Sequence, residues 1–331
     1  MTDALLGLPL PDAELETSLA SELARVEVGL REAVASDDPF IAVASRYLVE
    51  AGGKRFRPLL VLLAAQFGDP DAWGVVPAGV VVELTHLATL YHDDVMDEAD
   101  LRRGEPSANA RWDNTIAILT GDFLFARSSR ILADLGPEAV RIQALTFERL
   151  CTGQIRETVG PRDGQDPVEH HLEVVADKTG SLIAASGWYG ALMAGASAEH
   201  VEILTQFGER IGIAFQLADD LVDITSESMQ SGKTPGTDLR EGIPTLAGLI
   251  ALTSPDPADD RLKDLLGRPL PDDTEHAEAL ALLRAHPGVI EARKQAHGWA
   301  DSARDLLDAL PAGPPRDVLA LLCDYVVSRT G

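Results

Sequence analysis

The chain is organised around the stretch His86-Leu87-Ala88-Thr89-Leu90-Tyr91-His92-Asp93-Asp94-Val95-Met96-Asp97-Glu98. It continues a mostly apolar run that begins at residue 80, and it ends in a dense group of acids. Side chains three and four positions apart share one face of a helix, so Asp93, Asp94 and Asp97 would crowd onto one side. Three like charges within one turn call for a cation, and oxygen-only ligands favour a hard one, magnesium before zinc.

The same pattern returns in a second apolar segment, Phe215-Gln216-Leu217-Ala218-Asp219-Asp220-Leu221-Val222-Asp223. Asp219, Asp220 and Asp223 repeat the spacing of the first group. One such cluster is explained equally well by a solvated helix face. Two matched clusters, each at the end of an apolar helix, favour metal binding, and they require helices far apart in sequence to meet.

Composition limits the classes of function. The chain has 331 residues, of which 45% are hydrophobic, so there is ample material for a core. Its formal net charge of -25 argues against a nucleic-acid partner, because phosphate backbones are bound by basic surfaces. An anionic substrate is still compatible with this charge if metals and a few placed cations invert the local field.

The cysteines and the apolar runs indicate a soluble, cytoplasmic protein. Cys151 and Cys323 suggest neither a disulfide framework nor a zinc site, so both are expected to be reduced thiols. The first 20 residues have no basic segment followed by a long apolar run, so no signal peptide is expected. No apolar run reaches the roughly 18 residues of a transmembrane helix.

Helical periodicity dominates the chain, and aromatic residues are only 5%, so strands are poorly supported. No stretch has the composition of an interdomain linker. The sequence therefore predicts one all-α domain, residues 1–331, with a buried central cavity. Besides the central helix of the first acidic group, helices are predicted at residues 13–34, 39–50, 58–67, 116–135, 137–159, 168–179, 182–194, 198–224, 275–310 and 315–328, with a polar loop at 225–243 and a surface excursion at 253–275.

Several cationic elements accompany the carboxylates. Residues 51–58 place Lys54, Arg55 and Arg57 just before a helix, and the preceding glycines permit the bends that bring them together. A basic turn that balances an acidic protein is the alternative, but this concentration among only 28 Lys and Arg favours anion binding. Arginine pairs such as Arg102-Arg103 bind phosphate oxygens through bidentate hydrogen bonds. With the weaker candidates Lys178-Thr179-Gly180 and Gly232-Lys233, these elements point to a substrate that carries diphosphates.

In combination, these motifs resemble those of the trans-type polyprenyl diphosphate synthases. The similarity covers about residues 48–246 and includes GGKRFRP, HLATLYHDDVMDEADLRRG, DKTGSL, FQLADDLVD and GKTPGTDLREG. The resemblance implies an all-helical bundle around a deep pocket, with the two aspartate motifs facing each other across its mouth. It also implies a homodimer.

The resemblance assigns a role to each matching residue. Asp93, Asp97 and Asp219 would be the direct ligands among six aspartates that hold magnesium, three ions per active site. The other three aspartates are Asp94, Asp220 and Asp223. Lys54, Arg57, His86 and Arg103 match positions that hold isopentenyl diphosphate, and Arg102, Lys178, Thr179, Gln216 and Lys233 match positions that grip the allylic diphosphate. A lone histidine on an apolar helix is usually a core residue, but His86 lies two turns before Asp93 on the same face, which favours binding.

The implied reaction is a head-to-tail prenyl transfer. Magnesium and the cationic side chains, with Lys178 among the catalytic group, would stabilise the departing diphosphate so that the allylic carbon–oxygen bond ionises. The double bond of isopentenyl diphosphate would then attack, and a proton would be lost to the released diphosphate. In this family the chain-length gate lies four and five residues before the first aspartate, here Thr89 and Ala88. Small residues there predict a medium or long product, about C30 to C50, for quinone side chains, and Ala88→Phe should shorten it.

Three alternatives are kept. A short-chain farnesyl or geranylgeranyl diphosphate synthase differs only in product length. A terpene cyclase would leave GGKRFRP and Arg103 without a role, because it needs no second diphosphate site. A non-catalytic subunit of a synthase complex would be expected to lose the aspartate motifs, and both are complete here. Peripheral membrane contact would help release an insoluble product, although the sequence has no basic amphipathic helix to provide it.

Overall fold

A computed structural model of the chain describes residues 6–8, 10, 12–226 and 235–328. Within these residues the regular structure is helical, apart from a two-residue antiparallel hairpin of β1 (Leu101–Arg102) and β2 (Glu105–Pro106). The prediction of an all-α fold is confirmed. The helices are α1 (Ala13–Ala33), α2 (Pro39–Glu50), α3 (Phe56–Ala65), α4 (Val75–Met96), α5 (Ala108–Arg111), α6 (Asn114–Leu135), α7 (Pro137–Val159), α8 (Pro167–Val175), α9 (Ser181–Met193), α10 (Ala198–Thr225), α11 (Thr237–Glu241), α12 (Leu246–Leu252), α13 (Asp260–Leu266), α14 (Asp273–Ala285), α15 (Pro287–Leu306) and α16 (Pro314–Ser328).

The helices group into two compact units. The first unit comprises Met1–Phe147, Leu182–Gly208 and Leu306–Leu321. The second unit comprises Glu148–Ser181, Glu209–Asp305 and Leu322–Gly331. The single domain over residues 1–331 and its central pocket stay predictions.

Aspartate side chains define the starts of several helices. The carboxylate of Asp12 accepts a hydrogen bond from the backbone N–H of Leu15 at 2.8 Å, and Asp38 caps α2 in the same way through Phe40 at 2.8 Å. These caps satisfy amide groups that have no partner within the helix. In α2 the cap is followed directly by Pro39, whose fixed φ suits the first helical position.

Helix α4 is the centre of the first unit and packs on α1, α3 and α6. Its side chains are apolar on most faces, and Val81, Leu84 and Leu87 are completely buried. A helix of this composition must be largely enclosed by other elements, because most of its surface is apolar. This packing fixes the direction of α4 and therefore the place at which its acidic end projects.

The second unit has its own apolar core. Leu217 and Leu221 of α10 pack in one cluster with Leu265 of α13, Leu283 of α14 and Ala292 of α15. Leu265 is completely buried, and the others are at most 8% exposed. This cluster anchors the apolar face of α10, the helix whose last turns carry the second aspartate motif.

Two of the sequence-based expectations are wrong. Residues 275–310 do not form one helix, because α14 ends before His286 and α15 begins at Pro287, which has no N–H to continue the preceding helix. Residues 253–275 are not merely a surface excursion, since Leu262 and Leu265 of α13 are buried in the core of the second unit.

Two further segments contain turns of helix that the sequence analysis did not resolve. The predicted helix 168–179 ends as α8 at Val175 and continues as a π-helical turn, Ala176–Gly180. The predicted loop 225–243 contains the short helix α11.

Candidate active site

The first aspartate motif lies at the C-terminal end of α4, where its three carboxylates have different surroundings. Asp94 is completely buried, and its Oδ1 accepts a hydrogen bond from Nε of Arg102 at 2.6 Å. Burial raises the pKa of Asp94, and Asp97 raises it further, while Arg102 opposes the shift. Asp93 is half-buried and Asp97 is exposed. Asp94 is thus tied to Arg102 within the protein, and Asp93 and Asp97 are the more accessible pair.

The Asp94–Arg102 contact joins two residues that the sequence analysis assigned to different ligands, a metal and the allylic diphosphate. The other oxygen of Asp94, Oδ2, is buried and has no hydrogen-bond partner among the described residues. Carboxylates at a helix C-terminus also face the negative end of the helix dipole. A buried carboxylate oxygen of this kind, at the negative end of a helix, suits a cation.

A cluster of cations lies beside this motif in the first unit. The β1–β2 hairpin carries Arg103, which donates hydrogen bonds to the carbonyl oxygens of Leu48, at 3.0 Å, and Gly52. At Gly53, which has φ +150°, a Cβ would lie only 3.0 Å from the Arg103 guanidinium. Glycine therefore permits both the backbone conformation and the close approach that join the GGKRFRP turn to the RRG turn.

Arg57 belongs to the same cation cluster, and the imidazole of His86 lies beside it. Burial and the nearby Arg103 lower the pKa of Arg57 to about 10, against an opposing effect of Glu83, so Arg57 remains charged near neutral pH. Its buried Nε has no hydrogen-bond partner among the described residues. Burial, and then the charges of Arg57 and Arg103, lower the pKa of His86 well below its usual value, so His86 is a neutral imidazole. Arg57, His86 and Arg103 therefore lie together, and they are three of the four residues predicted to hold isopentenyl diphosphate. The fourth, Lys54, is exposed on the turn that carries Arg57.

Arg55 has a different role from the one expected of a cation in this turn. It is buried and paired with Glu27 of α1, at 2.5 Å, and with Glu83 of α4, at 2.8 Å. The sequence analysis missed both glutamates. Each lies 28 residues from Arg55, so no local pattern indicates the pairing.

The second aspartate motif is built around Asp220 in the second unit. Oδ1 of Asp220 accepts a hydrogen bond from Gln216 at 2.8 Å, and Gln216 in turn accepts one from the hydroxyl of Thr179 at 3.0 Å. Burial, followed by the charges of Asp238 and the neighbouring aspartates, raises the pKa of Asp220 well above its usual value. Asp238 is a further acid of this group that the sequence analysis did not assign.

Asp223 links the second motif to α11. Its two carboxylate oxygens accept hydrogen bonds from the backbone N–H groups of Thr237 and Asp238, each at 3.2 Å. The link brings Asp238, which lies within the predicted loop 225–243, next to the motif. Lys233, also predicted to bind the allylic diphosphate, lies outside the described residues.

Lys178 and Thr179 sit on the π-helical turn Ala176–Gly180. Nζ of Lys178 lies 2.5 Å from a carboxylate oxygen of Glu157. The preceding residue, Asp177, pairs with Arg149 at 2.9 Å and with Arg156 at 3.0 Å. Single π-helical turns inside helices are frequent at functional sites, and this one holds the backbone that presents Lys178 and Thr179.

The residues present fit a hard divalent cation. In the described part of the chain no three His, Cys, Asp or Glu side chains already converge as a metal cage. The fit rests on the buried, unpartnered Oδ2 of Asp94, on the crowded charges around Asp220, and on donors that are all carboxylate oxygens. Magnesium characteristically binds through one or two carboxylates together with substrate phosphates, and it retains several waters.

His171 of α8 lies against the second motif, and the sequence analysis missed it. Its Nε2 is buried, without a hydrogen-bond partner among the described residues, and lies 3.8 Å from Oδ2 of Asp220. Burial, with a smaller effect of His170, lowers the pKa of His171 to about 4. His171 is therefore neutral in the folded protein.

This shift predicts a pH dependence of stability. The unfolded chain protonates His171 below its usual pKa of about 6.5, whereas the folded protein does so only near 4, so stability is lost as the pH falls between these values. At pH 4.5 the loss should be about 2 kcal/mol relative to pH 7. We expect His171→Phe to remove this part of the pH dependence in urea unfolding, and the same change at the exposed His297 to leave it intact. Equal pH profiles for His171→Phe and the unmodified protein would contradict the assignment.

No helix in the part of the chain that the structure describes is both long and apolar enough to cross a membrane.

Comparison with known proteins identifies the family of the chain. The profile of the polyprenyl synthetase family matches residues 38–283. The chain is 52% identical over 326 residues to the nonaprenyl diphosphate synthase of Mycobacterium tuberculosis, an alignment that covers 98% of this chain and 97% of that protein.

Solved structures extend the comparison. The geranylgeranyl pyrophosphate synthase of Corynebacterium glutamicum, complexed with calcium and isoprenyl diphosphate, superposes with a TM-score of 0.88 at 44% identity and covers 98% of this chain and 100% of that one. A decaprenyl diphosphate synthase from Rhodobacter capsulatus gives a TM-score of 0.87 at 36% identity, with 96% and 99% covered. The chain belongs to the polyprenyl synthetase family, and the predictions of this family and of a prenyltransferase are confirmed.

Proposed function

We propose that the protein condenses isopentenyl diphosphate with an allylic diphosphate, head to tail, to make an all-trans polyprenyl diphosphate of medium or long chain, about C30 to C50. The names of the similar nonaprenyl and decaprenyl diphosphate synthases support this length. The main support for the proposal comes from the arrangement of side chains on α4. Its partly exposed positions His86, Thr89 and Asp93 form one stripe, with the cation cluster at one end and the acidic motif at the other.

Each group of residues then has a task. Arg57 and Arg103, with Lys54 and the neutral His86 as further hydrogen-bond donors, would hold the diphosphate of isopentenyl diphosphate. At the second motif, Gln216 and Thr179 orient Asp220, and Lys178 would exchange Glu157 for a diphosphate oxygen.

We assign Asp93, Asp97 and Asp219 as the direct ligands of magnesium, with Asp94, Asp220 and Asp223 supporting them, and three ions per active site. When bound, the metal neutralises charge on the departing diphosphate. Arg102, Lys178 and Lys233 would stabilise the same charge, so that the allylic carbon–oxygen bond breaks and the double bond of isopentenyl diphosphate attacks the allylic carbon. The released diphosphate would accept the proton, and no side chain is needed as nucleophile.

Product analysis tests the proposal. Purified protein, magnesium and radiolabelled isopentenyl diphosphate are incubated with farnesyl or geranylgeranyl diphosphate, and the products are separated by chain length. We expect medium or long products that depend on magnesium. Products no longer than C20 would favour a short-chain synthase, an option kept open by the similar geranylgeranyl pyrophosphate synthase. No diphosphate release with any primer would indicate a non-catalytic subunit.

Thr89 and Ala88, the predicted chain-length gate, have different surroundings. Thr89 is partly exposed, and its hydroxyl donates to the carbonyl oxygen of His86 at 2.8 Å. Ala88 is completely buried in the apolar cluster of the first unit, and its carbonyl oxygen would lie 3.1 Å from a Cβ at Gly121. A bulky side chain at Thr89 would therefore enter open space, whereas one at Ala88 would meet packed atoms.

We expect Thr89→Phe to shift the main product to shorter chains with little change in the first condensation, and Thr89→Ser to leave the product unchanged. Ala88→Phe should also shorten the product, but at a cost in stability of about 1–3 kcal/mol from overpacking. Chromatography of products and thermal unfolding check these outcomes. An unchanged product distribution in Thr89→Phe would remove Thr89 from the gate.

We also propose a homodimer in the cytoplasm that contacts membranes peripherally to release product for quinone side chains. Ile118 and Leu119 of α6 and Val140 and Leu145 of α7 support the dimer, because each is between 43% and 58% exposed in the isolated chain. Exposed apolar side chains on neighbouring helices suit a subunit interface.

A further inference from the structure

We propose that Glu27, on the N-terminal helix α1, is a positioning residue for the isopentenyl diphosphate site and acts through Arg55. The inference rests on the proposed function, because it assigns a ligand to the cation cluster. Helix α1 precedes residues 38–283, which match the family profile, and Glu27 belongs to none of the motifs.

The contacts of Arg55 use most of its guanidinium. Its Nε donates to Oε1 of Glu27 at 2.5 Å, its Nη1 donates to Oε1 of Glu83 at 2.8 Å, and its Nη2 donates to the carbonyl oxygen of Val49 at 3.0 Å. The side chains of Arg55 and Glu83 are 6% and 2% exposed, whereas that of Glu27 is 30% exposed. A guanidinium held on three sides in a buried position has little freedom to move.

The backbone of Arg55 explains why this fixation matters. Its φ is +49°, in the left-handed region that residues with a Cβ seldom adopt, and it is the residue directly before α3. Lys54 precedes it, and Arg57 follows two residues later. The conformation at Arg55 thus sets the directions of both cations, and the ion pairs of its side chain hold that conformation in place.

Glu27 also determines how the charge of Glu83 is shared. Glu83 pairs directly with Arg55, and its charge raises the pKa of Arg57 against the effect of burial. While Glu27 neutralises part of the positive charge of Arg55, the negative charge of Glu83 stabilises both Arg55 and Arg57. Without the Glu27 charge, the charge of Glu83 would be compensated more fully by Arg55, and Arg57 would lose part of the field that keeps it charged and in place.

Steady-state kinetics of Glu27→Gln test the proposal. We expect the KM for isopentenyl diphosphate to rise about tenfold, with kcat and the KM for the allylic diphosphate within about twofold. Glu22→Gln is the matched control, because Glu22 pairs with the exposed Arg25 at 2.7 Å on the same helix. Glu27→Asp keeps the charge on a shorter side chain and should give an intermediate KM. It also provides a second variant should Glu27→Gln fail to fold, which circular dichroism would reveal.

A double-mutant cycle with Lys54→Ala separates this inference from the proposed site. If Glu27 acts by positioning Lys54 and Arg57, its substitution should raise KM in the Lys54→Ala background by clearly less than the tenfold expected alone, because only the contribution through Arg57 remains. A Glu27→Gln variant with unchanged KM, beside a Lys54→Ala variant with raised KM, would overturn the role of Glu27 alone. A fall in kcat without a change in KM would do the same. An unchanged KM in Lys54→Ala would overturn the site itself.

Discussion

The Asp93→Asn variant is expected to lose about a thousandfold in kcat, the effect of removing one preorganised group that stabilises charge in the transition state. Asp93 lies on the accessible side of the α4 terminus, whereas the neighbouring Asp94 is buried and tied to Arg102. Asparagine keeps the shape of the side chain and removes its charge, so the packing of α4 should be unaffected. Single-turnover kinetics with saturating magnesium measure the chemical step directly.

Asp134→Asn provides the control for this variant, because Asp134 is an exposed acid on α6. It should retain full activity, which separates the loss of a specific ligand from a general change in the strongly negative surface. A kcat in Asp93→Asn within tenfold of the unmodified protein would mean that Asp93 does not hold the metal.

The second large effect is expected at Arg57. Arg57→Met should raise the KM for isopentenyl diphosphate about a hundredfold, the equivalent of about 3 kcal/mol for a charge-assisted contact to phosphate. Methionine fills much of the buried volume, and Glu83 keeps its partner Arg55, so the variant should fold. The KM for the allylic diphosphate should stay nearly constant. Initial rates with each substrate varied in turn provide the test.

Arg25→Met, at an exposed position of α1, is the matched control for Arg57 and should leave both KM values unchanged. Equal increases in the two KM values of Arg57→Met would show that Arg57 does not distinguish the two diphosphates. That result would contradict the assignment of the cation cluster to isopentenyl diphosphate.

Much of the fold followed from local signals. The apolar run before Asp93 predicted a buried central helix, and α4 is enclosed on most faces. The break at Pro287 could also have been predicted, since a proline seldom continues a helix, yet residues 275–310 were predicted as one helix. The burial of Leu262 and Leu265 could not be predicted from local sequence, because it depends on packing against helices that are distant in sequence.

The candidate site, too, could be predicted only in part from the sequence. The aspartates and the cations stood out because like charges are crowded at helical spacing or within one turn. The residues that position them could not be predicted in this way, since Glu27 pairs with Arg55 across 28 residues and Asp238 approaches Asp220 from within the predicted loop 225–243. Neither contact has a pattern in sequence, because both depend on how helices pack.

Our proposal is that both aspartate motifs hold divalent metal. It is tested most directly by a crystal structure of the protein with manganese and diphosphate, using the anomalous signal of manganese to locate the ions. We expect anomalous peaks within coordination distance of Asp93, Asp97 and Asp219, each also within coordination distance of a diphosphate oxygen. Peaks confined to one motif, or a diphosphate bound away from both, would contradict it.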